Sequence, residues 1–486
     1  MQVNGFLGPT YPNRSTNFQS DRTINLYPEL SPDPNAKTVL ALIGTPGLQL
    51  LNTVGVGAIR GIRPLGGVMY VVSGSGLYSI TTAGAVSALL GTLASNSGAV
   101  TIKDNGLEIS GVGGNQLVIC DKINLYIYNV VTGVFTTVTL SFTPGDVTYL
   151  DGYFIATALG SMSYYVSNLY DGLVWNALAT APVLSTPDSL VACCSPHQEL
   201  WLIKNYTTEV WYNTGTPTSQ GSPFQRLAGA VIDYGTEAPD SVVVGAGSMF
   251  MLANMRSSEG GQLVGIVMFN GYTPQVVSPP SINYQIAQMT DYTDAVAYMY
   301  SAEGHTFYVI TFPTGNRTFA FDLTTMMLHE RSSYTQYPYV VGKNVASFGV
   351  GMGGKTYVGG MDSNKIYEMG SEFGTDDGDP IVSIRVAPHL FDKQGLENLF
   401  IYRMQIDAEM GVGDGEGSDP QVELSFSDDG GHTYGNPYPA SLGKQGEYKK
   451  ELTWRRLGYT RNGVVKLQIS DTCKRVILGG YAEVGK

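Results

Sequence analysis

A strand–turn–strand unit recurs along the chain, and no other feature restricts its fold as strongly. An alternating apolar strand is followed by a Gly or Asp turn, a second strand bearing an aromatic residue, then a further turn and strand. It occurs in VMYVVSGSGLYSITTAGAVSALLGTL (68–93) and QLVICDKINLYIYNVVTGVFTTVTL (116–140), and again at 147–178, 199–215, 248–278, 297–331 and 345–370. A spacing of roughly 30–50 residues suits four-stranded propeller blades, which bury their faces only by stacking radially. Seven units are present, and six or eight blades also fit so loose a pattern. Stacked sandwiches are the alternative, and the regular spacing disfavours them.

Composition agrees with an all-β chain. Of 486 residues, 60 are Gly and 31 are Tyr, while only 14% are charged, which favours strands and tight turns over helices. The one helix candidate lies near SINYQIAQM (281–289). Pro and Gly are dense in the first 50 residues, so 1–55 reads as an extended N-terminal arm with first strands, and residues 1–40 are expected to order only at a subunit or adaptor contact. Residues 56–373 form the propeller-like repeat domain. The Gly/Asp-rich linker GTDDGDP (374–380) opens a C-terminal domain, 374–486, whose strands IVSIRVAPHLF, LFIYRMQIDAEM, QVELSFSDDGGHTY and GVVKLQIS suit a small β-sandwich.

The formal charge of −13 lies almost wholly in the first part: residues 1–379 carry 15 Lys+Arg against 27 Asp+Glu. Such a surface does not wrap nucleic acid, which needs a basic footprint. Cys120, Cys193, Cys194 and Cys473 show no CxxC spacing and read as buried thiols of a reducing compartment. The start MQVNGFLGPTYPNRS has no basic region followed by an apolar stretch, so no signal peptide is expected. No apolar run reaches the ~18 residues of a membrane span. The sequons at Asn13, Asn205 and Asn316 read as chance matches.

Short motifs invite chemistry and then withdraw it. GVGMGGKT (349–356) fits the phosphate-loop pattern G-x-x-x-x-G-K-[ST], but that loop works only between a strand and a helix. Here VASF precedes it, and YVGG with Gly359, Gly360 and Asp362 follows, so it reads as a hairpin turn. SDDGGHTY (427–434) fits the Asp-box S-x-D-x-G-x-T-W with Tyr434 in place of Trp, a fold staple in which Asp429 accepts backbone N–H groups across a turn. His197, His305, His329, His389 and His432 are scattered away from metal-ligand spacing. DDGD (376–379) and DGEGSD (414–419) could offer carboxylates to calcium, yet neither fits the full EF-hand loop. No catalytic, cofactor-binding or metal-binding residue is assigned, and no cofactor is expected.

Longer phrases carry a resemblance. RTINLYPEL, GTPGLQLL, MYVVSGSGLYSI, YLDGYFI, TTEVWYNTG, SPFQRLAGAVIDYGTEAPDSV and GHTFYVITFP occur in this order. Over about residues 20–375 the chain resembles the tail-hub, or nozzle, proteins of short-tailed bacteriophages, the packaged-DNA stabilisation or head-completion family. The C-terminal ASLGKQGEYKKELTWRRLGYTRNGVVKLQISD is similar to the end domain of such proteins. The resemblance implies a virion tail component assembled in the host bacterial cytoplasm. It implies a homo-oligomer, a hexameric ring below the portal-adaptor (head-to-tail connector) protein. That ring extends the exit channel for double-stranded DNA and meets tail spike or fibre proteins and a tail needle or plug. It supplies no catalytic residue.

Acidity and scarce Lys suit a conduit wall that must not grip DNA. Two other classes stand beside the hub. A propeller glycosidase or lyase would need converging carboxylates and Arg at the central mouth. A carbohydrate-binding propeller would repeat one aromatic pocket in every blade, and these units diverge too far for that.

Overall fold

The computed structural model describes residues 3, 5–256, 262–392, 397–413 and 418–485. Seven twisted sheets follow one another around an axis, at 59–92, 101–137, 144–182, 190–232, 234–276, 296–331 and 346–370. They are blades one to seven below. The chain is a β-propeller joined to a C-terminal β-sandwich, and its one α-helix among the described residues is Pro280–Ala287. Pro280 stands in that helix's first turn, where its missing N–H costs nothing and its fixed φ favours the start.

Period-two alternation explains the stacking. In blade four, Leu200 and Leu202 pack towards blade three with Ile155, Tyr164 and Val166, while Trp201 and Ile203 pack towards blade five with Met249, Met251 and Phe269. Blade one divides likewise: Tyr70 and Val72 face blade two, and Met69 and Val71 face Tyr357 and Ile366 of blade seven. A strand buried on both sides reads as a continuous apolar run, as QLVIC (116–120) and LWLIK (200–204) do.

The ring is closed by a strand from outside the repeats. Gly47–Thr53 pairs antiparallel with Lys365–Gly370, Leu48 opposite Met369, and becomes the fourth strand of blade seven, with the short pair Thr375–Asp376 and Asp379–Pro380 beyond it. Closure through a distant strand ties the last blade to the first part of the chain.

Blade six runs on into the sandwich. Its last strand, Met327–Arg331, pairs in parallel with Arg22–Ile24 (Ile24 opposite Glu330), and Arg22–Ile24 pairs antiparallel with Ser383–Val386. Val464–Ile469, Gln421–Ser427 and Tyr438–Ser441 complete that sheet. The facing sheet has the order Leu26–Leu30, Leu40–Gly44, Val476–Gly485, Leu399–Ala408, Leu452–Thr460. Ile401, Met404, Leu424, Trp454, Val465 and Leu467 fill the space between them.

The N-terminal arm departs from expectation, because it is ordered within its own chain. Val3 and Phe6 are buried in the sandwich core, and Gly480 leaves the space the Phe6 ring occupies: a Cβ there would lie 2.5 Å from it. The donors this Pro- and Gly-rich segment needs come from Arg385. Its guanidinium binds the carbonyls of Gly5 (2.8 Å), Phe6 (2.7 Å), Gly8 (3.3 Å) and Pro9 (3.3 Å), and Thr23 Oγ1 (2.8 Å). Burial pulls this guanidinium down to about 10, still cationic at neutral pH.

Candidate functional site

The phosphate-loop pattern lies in the inner hairpin of blade seven. Ala346–Met352 and Lys355–Gly360 are joined by Gly353 (φ 60°) and Gly354 (φ 78°), the two positive φ values of a type I′ turn. Lys355 pairs with Glu368 Oε1 on the next strand at 2.6 Å, so neither a helix terminus nor a free lysine faces a phosphate.

The Asp-box is a closed staple. Asp429 accepts from Ser427 Oγ (2.7 Å), His432 N (2.9 Å), Thr433 N (2.9 Å) and Thr433 Oγ1 (2.6 Å), which hold its carboxyl well below the usual carboxylate range. Gly431, at φ 89°, donates to Ser427 Oγ at 2.9 Å.

The other candidates diverge. His305 Nδ1 meets Asp322 Oδ2 at 2.8 Å inside blade six. His329 is buried nearby, and desolvation with the neighbouring Arg331 drives it well below its ordinary value, so it is neutral. His389 bonds the Thr16 carbonyl, His432 bonds Thr16 Oγ1, and His197 sits in a turn at φ 53°. In DDGD, Asp376 is buried and takes Ser333 Oγ at 3.0 Å, while Asp377 pairs with Lys365 at 2.5 Å. Residues 414–417 of DGEGSD lie outside the described residues. Among the described residues, no three His, Cys, Asp or Glu side chains converge as metal ligands. All four cysteines are buried, and among the described residues none forms a disulfide.

The propeller axis is crossed by charge pairs. Arg63 Nε meets Asp104 Oδ2 at 2.6 Å between the inner strands of blades one and two. Asp146, fully buried and pushed up by desolvation, takes Thr101 Oγ1 at 2.7 Å and Cys193 N at 2.9 Å. Lys122, in a turn of blade two, pairs with Asp240, in the turn entering blade five, at 2.8 Å. Those blades are not neighbours, so the pair reaches across the mouth of the axis. Each of these carboxylates already has a partner.

The rim of blades two and three is different in kind. No Lys or Arg occurs between residues 123 and 203, a signal present in the sequence but not read from it above. Within that span Val131, Val134, Leu159, Leu169, Leu173, Val174, Leu178 and Leu184 are exposed, Leu178 to 65%. Three of them stand on Asp171–Pro182, a twelve-residue strand at the outer edge of its sheet. Edge strands are normally protected by charge, Lys above all, and this one has only Asp171. A second exposed apolar face lies on the sandwich, where the Phe400 and Tyr402 rings are 4.8 Å apart and Phe400 stands opposite Tyr459.

Two family models match the chain: "Bacteriophage P22 Gp10, beta-propeller" over residues 1–373 and "Bacteriophage P22 Gp10, beta-sandwich" over residues 384–485. No curated protein sequence matches. Three solved structures illustrate the remote likenesses. The N-terminal domain of Nup159 is 10% identical with a TM-score of 0.39, over 72% of this chain and 99% of that one. The Neurospora crassa Pan2 WD40 domain is 8% identical at 0.42, over 65% and 90%. The extracellular domain of the putative hybrid two component system BT4673 from B. thetaiotaomicron is 10% identical at 0.44, over 90% and 60%. At these TM-scores they have no bearing on function.

Proposed function

Since the chain belongs to the bacteriophage P22 Gp10 family, whose two models cover its propeller and its sandwich, we propose that it builds the tail-hub, or nozzle, ring of a short-tailed phage. The ring is a homohexamer, assembled in the host cytoplasm, that docks beneath the portal adaptor and extends its DNA channel. It retains the packaged genome with a needle or plug and gives spikes or fibres their attachment. The chain works as a structural part and not as a catalyst. The observation that carries this reading is the match of both family models, in order, over nearly the whole chain.

Three features support it. The Lys122–Asp240 pair reaches across the propeller between blades two and five, which favours a DNA lumen enclosed between copies over one through a single propeller. Two unlike apolar faces, the cation-free rim and the aromatic sandwich sheet, are what a head-to-tail ring contact requires. Copies that each carry a charge of −13 approach one another most readily through uncharged surface.

Negative-stain imaging of the purified protein, alone and with its adaptor, tests the proposal. Six-fold rings are expected, and Leu178→Asp with Leu173→Asp should prevent them while leaving the chain folded. Single particles in both states, with no adaptor binding, would overturn the hub reading.

A further inference from the structure

Three segments far apart in sequence enclose a cavity of about 320 Å³. Residues 12–24 form one side, Tyr339 and Val341 after blade six a second, and the sandwich strands Ser383–Val386 and Val464–Ile469 a third, with Gly431 and Tyr434 of the Asp-box at the rim. Ile24, Val341, Ile384 and Val386 give it apolar walls, while Asn13, Arg22, Lys466 and Gln468 bring polar groups. No Asp or Glu lines it, although acids outnumber bases 41 to 28 in the chain.

Its charge is unbalanced. Lys466 is half-buried, its ammonium 4.9 Å from the centre of the Tyr434 ring, and among the described residues no carboxylate pairs with it. Desolvation pulls the ammonium below its ordinary value. Arg22 gives Nε (2.9 Å) and Nη2 (2.7 Å) to Glu330, which also takes Arg317 Nη2 at 2.7 Å, so one carboxylate serves two guanidiniums. Of the nearby acids, Asp429 is saturated by the Asp-box, Asp21 takes Gln19 Nε2 on one oxygen and keeps the other 3.9 Å from Arg385 Nη2, and Glu423 on the paired strand acts on Lys466 only through space. Ser20 Oγ, buried at the cavity, has no hydrogen-bond partner. Buried polar groups almost always have partners, and half-buried cations favour anionic ones.

We propose that this cavity binds a compact oxyanion, a carboxylate or phosphate group held by Lys466, the uncommitted Nη1 of Arg22, Gln468 and Ser20. The cavity exceeds what one such group fills, leaving room for its carrier. The occupant links the N-terminal segment, blade six and the sandwich at one point. It arrives either as a free anion or on an acidic side chain of a docked protein, and neither depends on the hub reading.

The test is calorimetry on the full chain at constant ionic strength, with phosphate, citrate and a hexaglutamate peptide as probes and chloride as control. Saturable binding of at least one probe is expected. Tighter binding of the peptide identifies a protein source, and tighter binding of phosphate or citrate a free anion. Lys466→Met, which keeps the stem on Tyr434, should weaken binding at least tenfold. Lys466→Arg should retain it, and exposed Lys449→Met should leave it unchanged. Circular dichroism and the anion-free Tm establish that each variant is folded. The proposal falls if no probe saturates, if chloride acts equally, or if a folded Lys466→Met variant binds as the wild type does.

Discussion

Replacing Arg385 by Met should release the N-terminus and leave the rest of the chain standing. The side chain is 1% exposed, and of the four carbonyls it donates to, those of Gly5, Phe6 and Pro9 have no other donor among the described residues. Left in place without donors, these acceptors would cost about 1–3 kcal/mol each, or about 3–9 kcal/mol together. Removing the buried charge returns part of that: a guanidinium lowered from 12.5 to about 10 represents about 3 kcal/mol. The alternative is detachment. Exposing Val3 and Phe6 costs about 1.5–3 kcal/mol for each side chain, while freeing residues 5–9 returns about 1–2 kcal/mol of backbone entropy per residue. The returned entropy offsets the exposure of those two side chains, so detachment is the cheaper route, and Tm should fall by no more than a few degrees. Hydrogen exchange should show the amides of Val3 and Phe6, which donate to the carbonyls of Gly480 and Val3, losing protection by more than about a hundredfold, with strands 401–406 and 464–469 changing far less. Wild-type protection at Val3 and Phe6, or loss of protection throughout the sandwich, would refute the reasoning.

The Asp-box makes a pH prediction. Asp429 is held below its ordinary value, so its contribution is complete above the usual carboxylate range near pH 4 and fades as pH falls below that. Asp429→Asn should lower Tm at pH 7 and flatten its acid dependence, as read by melts between pH 2 and 7. Asp376 behaves oppositely. Burial raises it from 3.8 to about 6, so stability falls by about 3 kcal/mol as pH rises from 4 through 6. Asp376→Asn should remove that slope in denaturant titrations. Calorimetry with ATP and magnesium should be flat, and Lys355→Ala should assemble normally; micromolar ATP binding lost in that variant would restore the phosphate-loop reading. Duplex DNA should not shift on a gel with the purified protein at low salt, and tight, salt-sensitive binding would sink the idea of a non-adhesive wall.

The blades were legible where both faces of a strand are apolar. QLVIC and LWLIK announce themselves, and the Gly- and Asp-rich turns between strands mark the hairpins. The innermost strands were harder to see. Thr101–Asp104 reads TIKD because one end of it meets the axial charge pairs, and Val243–Gly245 is only three residues long. Blade closure left no local trace, since Gly47–Thr53 owes its place to Lys365–Gly370 hundreds of residues later. The arm was misread for the same reason. Its Pro and Gly look loose until Arg385, 379 residues beyond Phe6, supplies donors. Of the motifs, the hairpin at 349–356 and the Asp-box were decided by flanking residues and turn chemistry, both local. The cation-free rim was equally visible as an absence, but a pattern-by-pattern reading does not register missing residue types. The oxyanion cavity was not readable at all, because its walls come from three separate regions.

The pairing of early strands with late ones also bears on synthesis. Leu40–Gly44 is completed by Val476–Gly485, and Gly47–Thr53 by Lys365–Gly370. On the ribosome the first partners emerge long before the last and must wait unpaired, their edges open to chaperones. A message cut short before residue 370 yields no closed ring of blades, and one cut short before residue 476 yields no finished sandwich. Translation thus carries its own proofreading: the sandwich sheet that begins at Leu40–Gly44 is complete only when Val476–Gly485 has been made.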